Sequence, residues 1–382
     1  MTKKIAPTNP NSIEVPRFPE ALLSSSIQER VKYFENYQTN HPHLSEARDK
    51  LLDAITNPGN RSIVMVCGPS GVGKSTLFKV VRNHIIKNFV QTNKGHIPIV
   101  GVEAVAPDNS NFDIRDFYIR SLEALMEPLI EYKIYYEDDI KYSNDDKNRD
   151  LRKSLENALK NRAPKAFLID EAQHFTKVTS GKKLEGQMDL LKSMASLSKV
   201  LHVLIGTYEL VPFINQSGQL SRREFNIHLP RYRHENKNDM QAFENVIYIF
   251  QRNIPLEKEP DLVSHIDYLY EGTIGCVGTL KDWLFKAVKE TLESKKKKLT
   301  MDCLKKHAYQ TDQCMTMLLE ARENEDFDVE NEIKSAEYRN LLYHGVIPSN
   351  KNQSKKNETN TGGNKKPGVR KPTRDPVGVQ QM

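Results

Sequence analysis

The stretch RSIVMVCGPSGVGKST, residues 61–76, decides how the rest of the chain is read. Its first half is a short apolar run rich in β-branched residues, the pattern of a strand buried on both faces. Its second half, Gly68-Pro69-Ser70-Gly71-Val72-Gly73-Lys74-Ser75, matches GxxxxGK[ST] and opens a helix predicted over 75–89. The glycines let the backbone turn tightly enough for its N–H groups to surround a β-phosphate, and the helix N-terminus adds positive potential there. Lys74 is then placed to reach the β- and γ-phosphate oxygens, and the Ser75 hydroxyl to ligate Mg²⁺. Thr76 closes the nucleotide-binding set.

Outward from this stretch the chain alternates. Upstream, SEARDKLLDAIT (45–56) spaces its apolar residues as a helix and ends at the turn Asn57-Pro58-Gly59. Downstream come a strand over 96–105, a helix over 113–129 and an acidic connection over 135–150. A helix over 151–161, a strand over 166–170 and a helix over 184–198 follow. Strands over 200–206 and 226–229 finish the series. Strands alternating with helices of this length predict a five-stranded parallel sheet sandwiched by helices, an α/β class. Beyond Pro230 the strand signals stop, and 238–345 reads as helical, a lid. The expected domains are a loop-rich extension over 1–44 with a short helix near 26–37, a nucleotide-binding core over 45–235, the lid and C-terminal helices over 236–345, and a tail over 346–382.

A second motif lies in register with the first. Ala166-Phe167-Leu168-Ile169-Asp170-Glu171 is an apolar strand ending in two carboxylates, the Walker B pattern. Asp170 is expected to hold Mg²⁺, and Glu171 to orient and polarise the water that attacks a γ-phosphate. Open α/β sheets gather their active groups at the C-terminal ends of the strands, which suits both motifs. The next residues, Ala172-Gln173-His174, depart from the DEAH helicase box at Gln173. Thr207, at the end of the strand over 200–206, is either a γ-phosphate contact or a plain strand-end threonine. Arg222 and Arg223, just before the last strand, are either cations for a neighbouring subunit's γ-phosphate or part of a solvated face.

Composition narrows the classes further. Of the 382 residues, 56 are Lys or Arg and 50 Asp or Glu, a net charge of +6. The segment 346–382 holds eight of the basic residues and two of the acidic ones, so the body is balanced at 48 against 48. Few large apolar residues follow Ile347, so this segment reads as a disordered basic arm for a partner protein or for DNA. A mean hydropathy of −0.62 and the lack of any apolar run near ~20 residues exclude a membrane-spanning helix. The first residues, MTKKIAPTNPNSIEVPRF, have no apolar core of a secretory signal. Cys67, Cys276, Cys303 and Cys314 lie far apart, as reduced thiols of a cytosolic protein would.

Together the phosphate loop, the Asp-Glu strand, the threonine-ended strand and the arginines before a fifth strand resemble an AAA+ P-loop ATPase. Within that class the chain resembles the TniB/TnsC regulators of Tn-seven-like transposons, CRISPR-associated ones among them. LIDEAQHF, LIGTYEL, QLSRREFNIHLPRY and YEGTIGCVGTLKDWL carry the resemblance, which covers about 45–290. It implies a cytoplasmic, nucleoid-associated bacterial protein that uses ATP to form rings or filaments on double-stranded DNA. It also implies partners: a TnsB-type transposase, a TnsA-type endonuclease and a TniQ-type target-selection protein, with no membrane role. Thr207 takes the sensor 1 role under this resemblance, and Arg222 or Arg223 the arginine finger. A sensor 2 arginine is missing from Gly275–Thr279, so that role is vacant or passes to Lys281. The resemblance places DNA contacts at Arg115 and Lys133, with Lys177, Lys182 and Lys183 after the Walker B strand as a further cluster. The alternatives are a DnaC/IstB-like helicase loader and a signalling NTPase switch that does not bind DNA.

Overall fold

Ile63–Cys67 form β1, and all five residues are buried, as a strand covered on both faces must be. β1 pairs in parallel with β4 (Leu201–Gly206) on one side and with β5 (Glu224–His228) on the other. β3 (Ala166–Asp170) and β2 (Val100–Glu103) extend the sheet beyond β4, in the order β2-β3-β4-β1-β5, all parallel. The expected five-stranded parallel sheet is therefore present. The computed structural model describes residues 16–90, 93–106, 111–133, 144–177, 181–211, 224–325 and 342–343.

Side chains alternate across the sheet with a period of two. Ile63, Met65 and Cys67 enter one apolar layer with Phe117, Leu155 and Leu191. Those three come from α4 (Ile114–Ala124), α5 (Asn144–Arg162) and α6 (Gly181–Ser198). Val64 and Val66 enter the opposite layer with Leu51 of α2 (Pro42–Thr56) and with Leu77 and Val81 of α3 (Lys74–Lys87). Helices on both faces follow directly from strands with no polar face to leave in water.

Several element bounds differ from the sequence reading. The helix predicted over 113–129 stops at Ala124, because Met126 and Leu129 take φ of +56° and +52° around Glu127-Pro128; left-handed residues and a proline end a helix. The helix expected from 151 starts at Asn144. Its first residues, NDDKNRD, suit a helix N-terminus by charge but offer no apolar period to read. The strand expected over 96–105 contracts to Val100–Glu103, and α6 begins three residues early, at Gly181.

Beyond β5 the chain is helical: α7 (Lys237–Asn253), α8 (Ile266–Thr273), α9 (Val277–Glu293), α10 (Met301–Lys306) and α11 (Thr311–Glu325). Phe243, Phe250, Leu269, Leu280, Trp283 and Leu304 from these helices share a third apolar layer. Trp283 is wholly buried and its indole N–H donates to the Leu304 carbonyl at 2.8 Å. The layer also takes in Phe34 of α1 (Ile27–Asn36), a helix started by a Ser26–Glu29 capping box. Arg30 of the same helix donates to the Pro255 carbonyl at 2.9 Å, and Phe18 N–H to the Arg252 carbonyl at 3.3 Å. The segment from residue 16 to α1 thus packs on the lid.

Candidate nucleotide site

Strand order brings the motifs together. β4 lies between β1 and β3, so the loop after β1, the acidic pair ending β3 and Thr207 after β4 emerge side by side at one edge of the sheet. In the phosphate loop Gly71 and Gly73 have φ of +73° and +112°, left-handed values at which a side chain would be strained. Gly73 is the N-cap of α3, so the unpaired N–H groups of the first helical turn face the loop. Lys74 is 7% exposed, and its ammonium donates to the Gly68 and Pro69 carbonyls at 3.0 and 2.8 Å. Burial pulls its pKa below the ordinary lysine value, against the opposing pull of the Glu171 and Asp170 carboxylates.

Asp170 is buried at the end of β3 and accepts the Glu171 backbone N–H at 3.0 Å. Burial raises its pKa, although that bond and a hydrogen bond from the Ser75 hydroxyl act the other way. Ser75 and Asp170, predicted from distant segments to share a metal, thus lie near each other. One hydroxyl and one carboxylate oxygen are donors that suit hard Mg²⁺. Glu171 has φ of +52° and is half-buried. Its carboxylate accepts from the Gln173 side-chain amide, whose own oxygen accepts the Thr207 backbone N–H at 3.1 Å. The Thr207 hydroxyl oxygen is buried with no partner among the described residues, and a buried polar atom of this kind calls for a hydrogen bond.

The lid closes on the same loop. The Thr279 N–H, in the first turn of α9, donates to the Gly71 carbonyl at 3.0 Å. A Cβ on Gly71 would lie 2.1 Å from the Thr279 Oγ1, and one on Gly278 would lie 2.6 Å from the Gly71 carbonyl oxygen. Beside this contact is a cavity of about 240 Å³ lined by residues of three regions, His41, Gly73, Thr76, Val277, Gly278 and Lys281 among them. Lys281 is turned toward α1: its ammonium donates to the Phe34 carbonyl and lies 3.8 Å over the Phe34 ring. Burial lowers its pKa to about 8.

Phosphate loop, carboxylate pair and orphaned threonine agree with the family comparison, in which residues 56–214 match the model described as "AAA domain". The chain contains an AAA domain. Such a domain binds nucleotide and hydrolyses ATP. No curated protein matches the chain. Among solved structures it is similar to the Aeropyrum pernix ORC2 protein in ADPNP–ADP complexes, at 16% identity over 83% of this chain and 85% of that one, with a TM-score of 0.47. It is also similar to a Walker-type ATPase of Pyrococcus abyssi, at 16% identity over 78% of this chain and 76% of that one, with a TM-score of 0.39. A third is Drosophila ORC bound to DNA, at 13% identity over 79% and 70%, with a TM-score of 0.43.

The remaining expected site residues sit as follows around the AAA domain. Arg222 and Arg223 lie outside the described residues. Arg115 is half-buried in the first turn of α4, behind the Asp113 cap, and faces a cavity it shares with Glu123, Glu127 and Glu131. Lys133 is not on that helix but in a 3₁₀ turn over Ile130–Lys133, ion-paired with Glu127 at 3.0 Å. Glu127 pairs with Arg162 as well, also at 3.0 Å. Lys177 is exposed at the end of the 3₁₀ turn Ala172–Thr176. Lys182 and Lys183 fall in the first turn of α6, their side chains outside the described residues.

Several residues of the site escaped the sequence reading. Gln173 registered only as a departure from a helicase box, yet it joins the two strand ends. Thr279 lies in the lid string already singled out, but its bond to the phosphate loop, like the approach of the stretch from Tyr37 to His41, comes only through tertiary packing. Among the described residues, Glu290, Cys303 and His307 also cluster as metal-ligand types. Their carboxylate is already paired with His307 at 2.6 Å and Lys306 at 2.8 Å.

Proposed function

We propose that this ATPase regulates DNA transposition as a TniB/TnsC-type protein. ATP binding joins subunits into rings or filaments on double-stranded DNA, and hydrolysis dismantles them. The observation that carries the reading is the seating of the lid string YEGTIGCVGTLKDWL. Its Thr279 amide is bonded to the phosphate loop at 3.0 Å, so nucleotide in the loop is sensed by the lid directly. A lid coupled in this way turns nucleotide occupancy into a change of subunit shape, as an ATP-gated assembly requires.

In this mechanism Lys74 exchanges the Gly68 and Pro69 carbonyls for phosphate oxygens of ATP. The cavity beside Thr76 and Val277 receives the nucleoside. Ser75 and Asp170 would hold Mg²⁺, and the ion would supply positive charge against the phosphates. Glu171 takes a proton from the attacking water, and the Thr207 hydroxyl gains its missing partner on the γ-phosphate or on that water. Arg222 or Arg223 reaches the γ-phosphate of a neighbouring subunit, so that only the assembled form turns over rapidly.

DNA contact falls to cations repeated around the assembly. Lys177 is exposed and Arg115 partly so, whereas Lys133 is paired with Glu127 and available only if that ion pair opens. Such contacts read backbone and not sequence, so affinity falls steeply with salt. The partners are a TnsB-type transposase, a TnsA-type endonuclease and a TniQ-type selector, in a bacterial cytoplasm on the nucleoid. Among the described residues no helix is long and apolar enough to cross a membrane. Electron microscopy of the purified chain with duplex DNA tests the reading. Rings or filaments that need both ATP and DNA support it; assembly on a replicative helicase and none on DNA contradicts it.

A further inference from the structure

The structure assigns Gln173 as a positioning residue that links the strand end at Thr207 to the carboxylate of Glu171. Gln173 is 6% exposed, and each end of its amide is used: the NH₂ group donates to Glu171 and the oxygen accepts the Thr207 N–H at 3.1 Å. Only one orientation of the amide satisfies both partners, since the carboxylate cannot donate and the N–H cannot accept. Neighbouring groups hold Gln173 in place. The Thr176 hydroxyl donates to its carbonyl at 2.7 Å, and Gly206 makes room for it, since a Cβ there would lie 2.5 Å from the Gln173 Oε1.

The consequence concerns timing. Thr207 carries a buried hydroxyl without a partner among the described residues, while its own backbone N–H is the group that Gln173 reads. When that hydroxyl binds at the γ-phosphate, any shift of the Thr207 backbone is passed through one rigid amide to Glu171. The carboxylate is thereby aimed at the water only when the γ-phosphate is in place. Its side chain is bonded to Glu171 and to the Thr207 N–H, so Gln173 acts through Glu171. The assignment rests on the reading of Glu171 as the group that activates water.

The test measures steady-state ATP hydrolysis by the full chain as Gln173→Met, Gln173→Glu, Glu171→Gln and the double variant Glu171→Gln/Gln173→Met. Methionine keeps the volume but makes neither bond, and glutamate keeps the shape but sets a second carboxylate against Glu171. Each single change at Gln173 lowers kcat about ten- to hundred-fold with KM for ATP unchanged, the range seen when a supporting hydrogen bond is removed from a reacting group. The double variant is no slower than Glu171→Gln alone, because the two residues act as one unit. If one substitution prevents folding, the other still reads the link. Wild-type kcat in either folded Gln173 variant, or a further loss in the double variant, overturns the assignment. Retention of turnover by Glu171→Gln would instead refute the role given to Glu171.

Discussion

Gly71→Ala tests whether the lid and the phosphate loop are one mechanical unit. Gly71 has φ of +73°, so alanine costs about 1–2 kcal/mol in backbone strain alone. Its new Cβ would lie 2.1 Å from the Thr279 Oγ1, closer than any real contact, so the first turn of α9 must shift. Overpacking of this kind costs about 1–3 kcal/mol, and the total is therefore about 2–5 kcal/mol. The second contribution is removable: the Thr279 Cβ is 3.4 Å away, so Thr279→Ala leaves room for the added methyl. In a double-mutant cycle, Gly71→Ala/Thr279→Ala should recover about 1–3 kcal/mol relative to the sum of the single changes. Trp283, the chain's one tryptophan and wholly buried in the lid, reports unfolding in urea by its fluorescence. Additive single changes would refute direct contact between loop and lid.

Other perturbations probe the remaining supports. Arg231 is held by Glu325 at 2.6 and 3.0 Å with both side chains buried; Glu325→Ala should cost about 3–5 kcal/mol by leaving a buried charge alone. Arg231→Met/Glu325→Leu should be far less destabilised than that single change, and urea midpoints compare them. His41 and His202 are buried, and burial lowers each pKa from 6.5 to about 4. The unfolded chain therefore binds protons that the folded chain refuses. Stability is complete above pH 6.5 and falls as pH drops toward 4, by up to about 3 kcal/mol for each histidine. Unfolding free energies at pH 7 and 4.5 should show this loss, and His41→Gln should reduce it by about half.

The core was legible because its information is local. β3 spans 166–170 as read, since an apolar run closed by two carboxylates leaves no choice of bounds, and the glycine spacing after Cys67 marks its own turn. Ser75 and Asp170 are read as a pair across ninety-odd residues because the motif chemistry asks for a shared metal, and the strand order brings both to one edge of the sheet. What was not legible is tertiary. Phe34 belongs to the lid layer because α1 folds back on α9, and no periodicity in a ten-residue helix says which layer it joins. The resemblance makes Lys133 a DNA contact, and no local pattern shows that the break at Met126–Leu129 turns it onto Glu127. Gln173 is a polar residue in a short turn until β4 is laid beside β3. Only then does the Thr207 amide stand within reach of it.

In the proposed mechanism one site holds Lys74, which binds the phosphates, and Glu171, which drives hydrolysis. Its most direct test measures bound nucleotide and released phosphate together for the wild type, Lys74→Ala and Glu171→Gln. The account predicts that Lys74→Ala neither retains ATP nor releases phosphate, while Glu171→Gln retains ATP with turnover reduced at least about hundred-fold. Phosphate release by Glu171→Gln at the wild-type rate, or full ATP retention by Lys74→Ala, would contradict it.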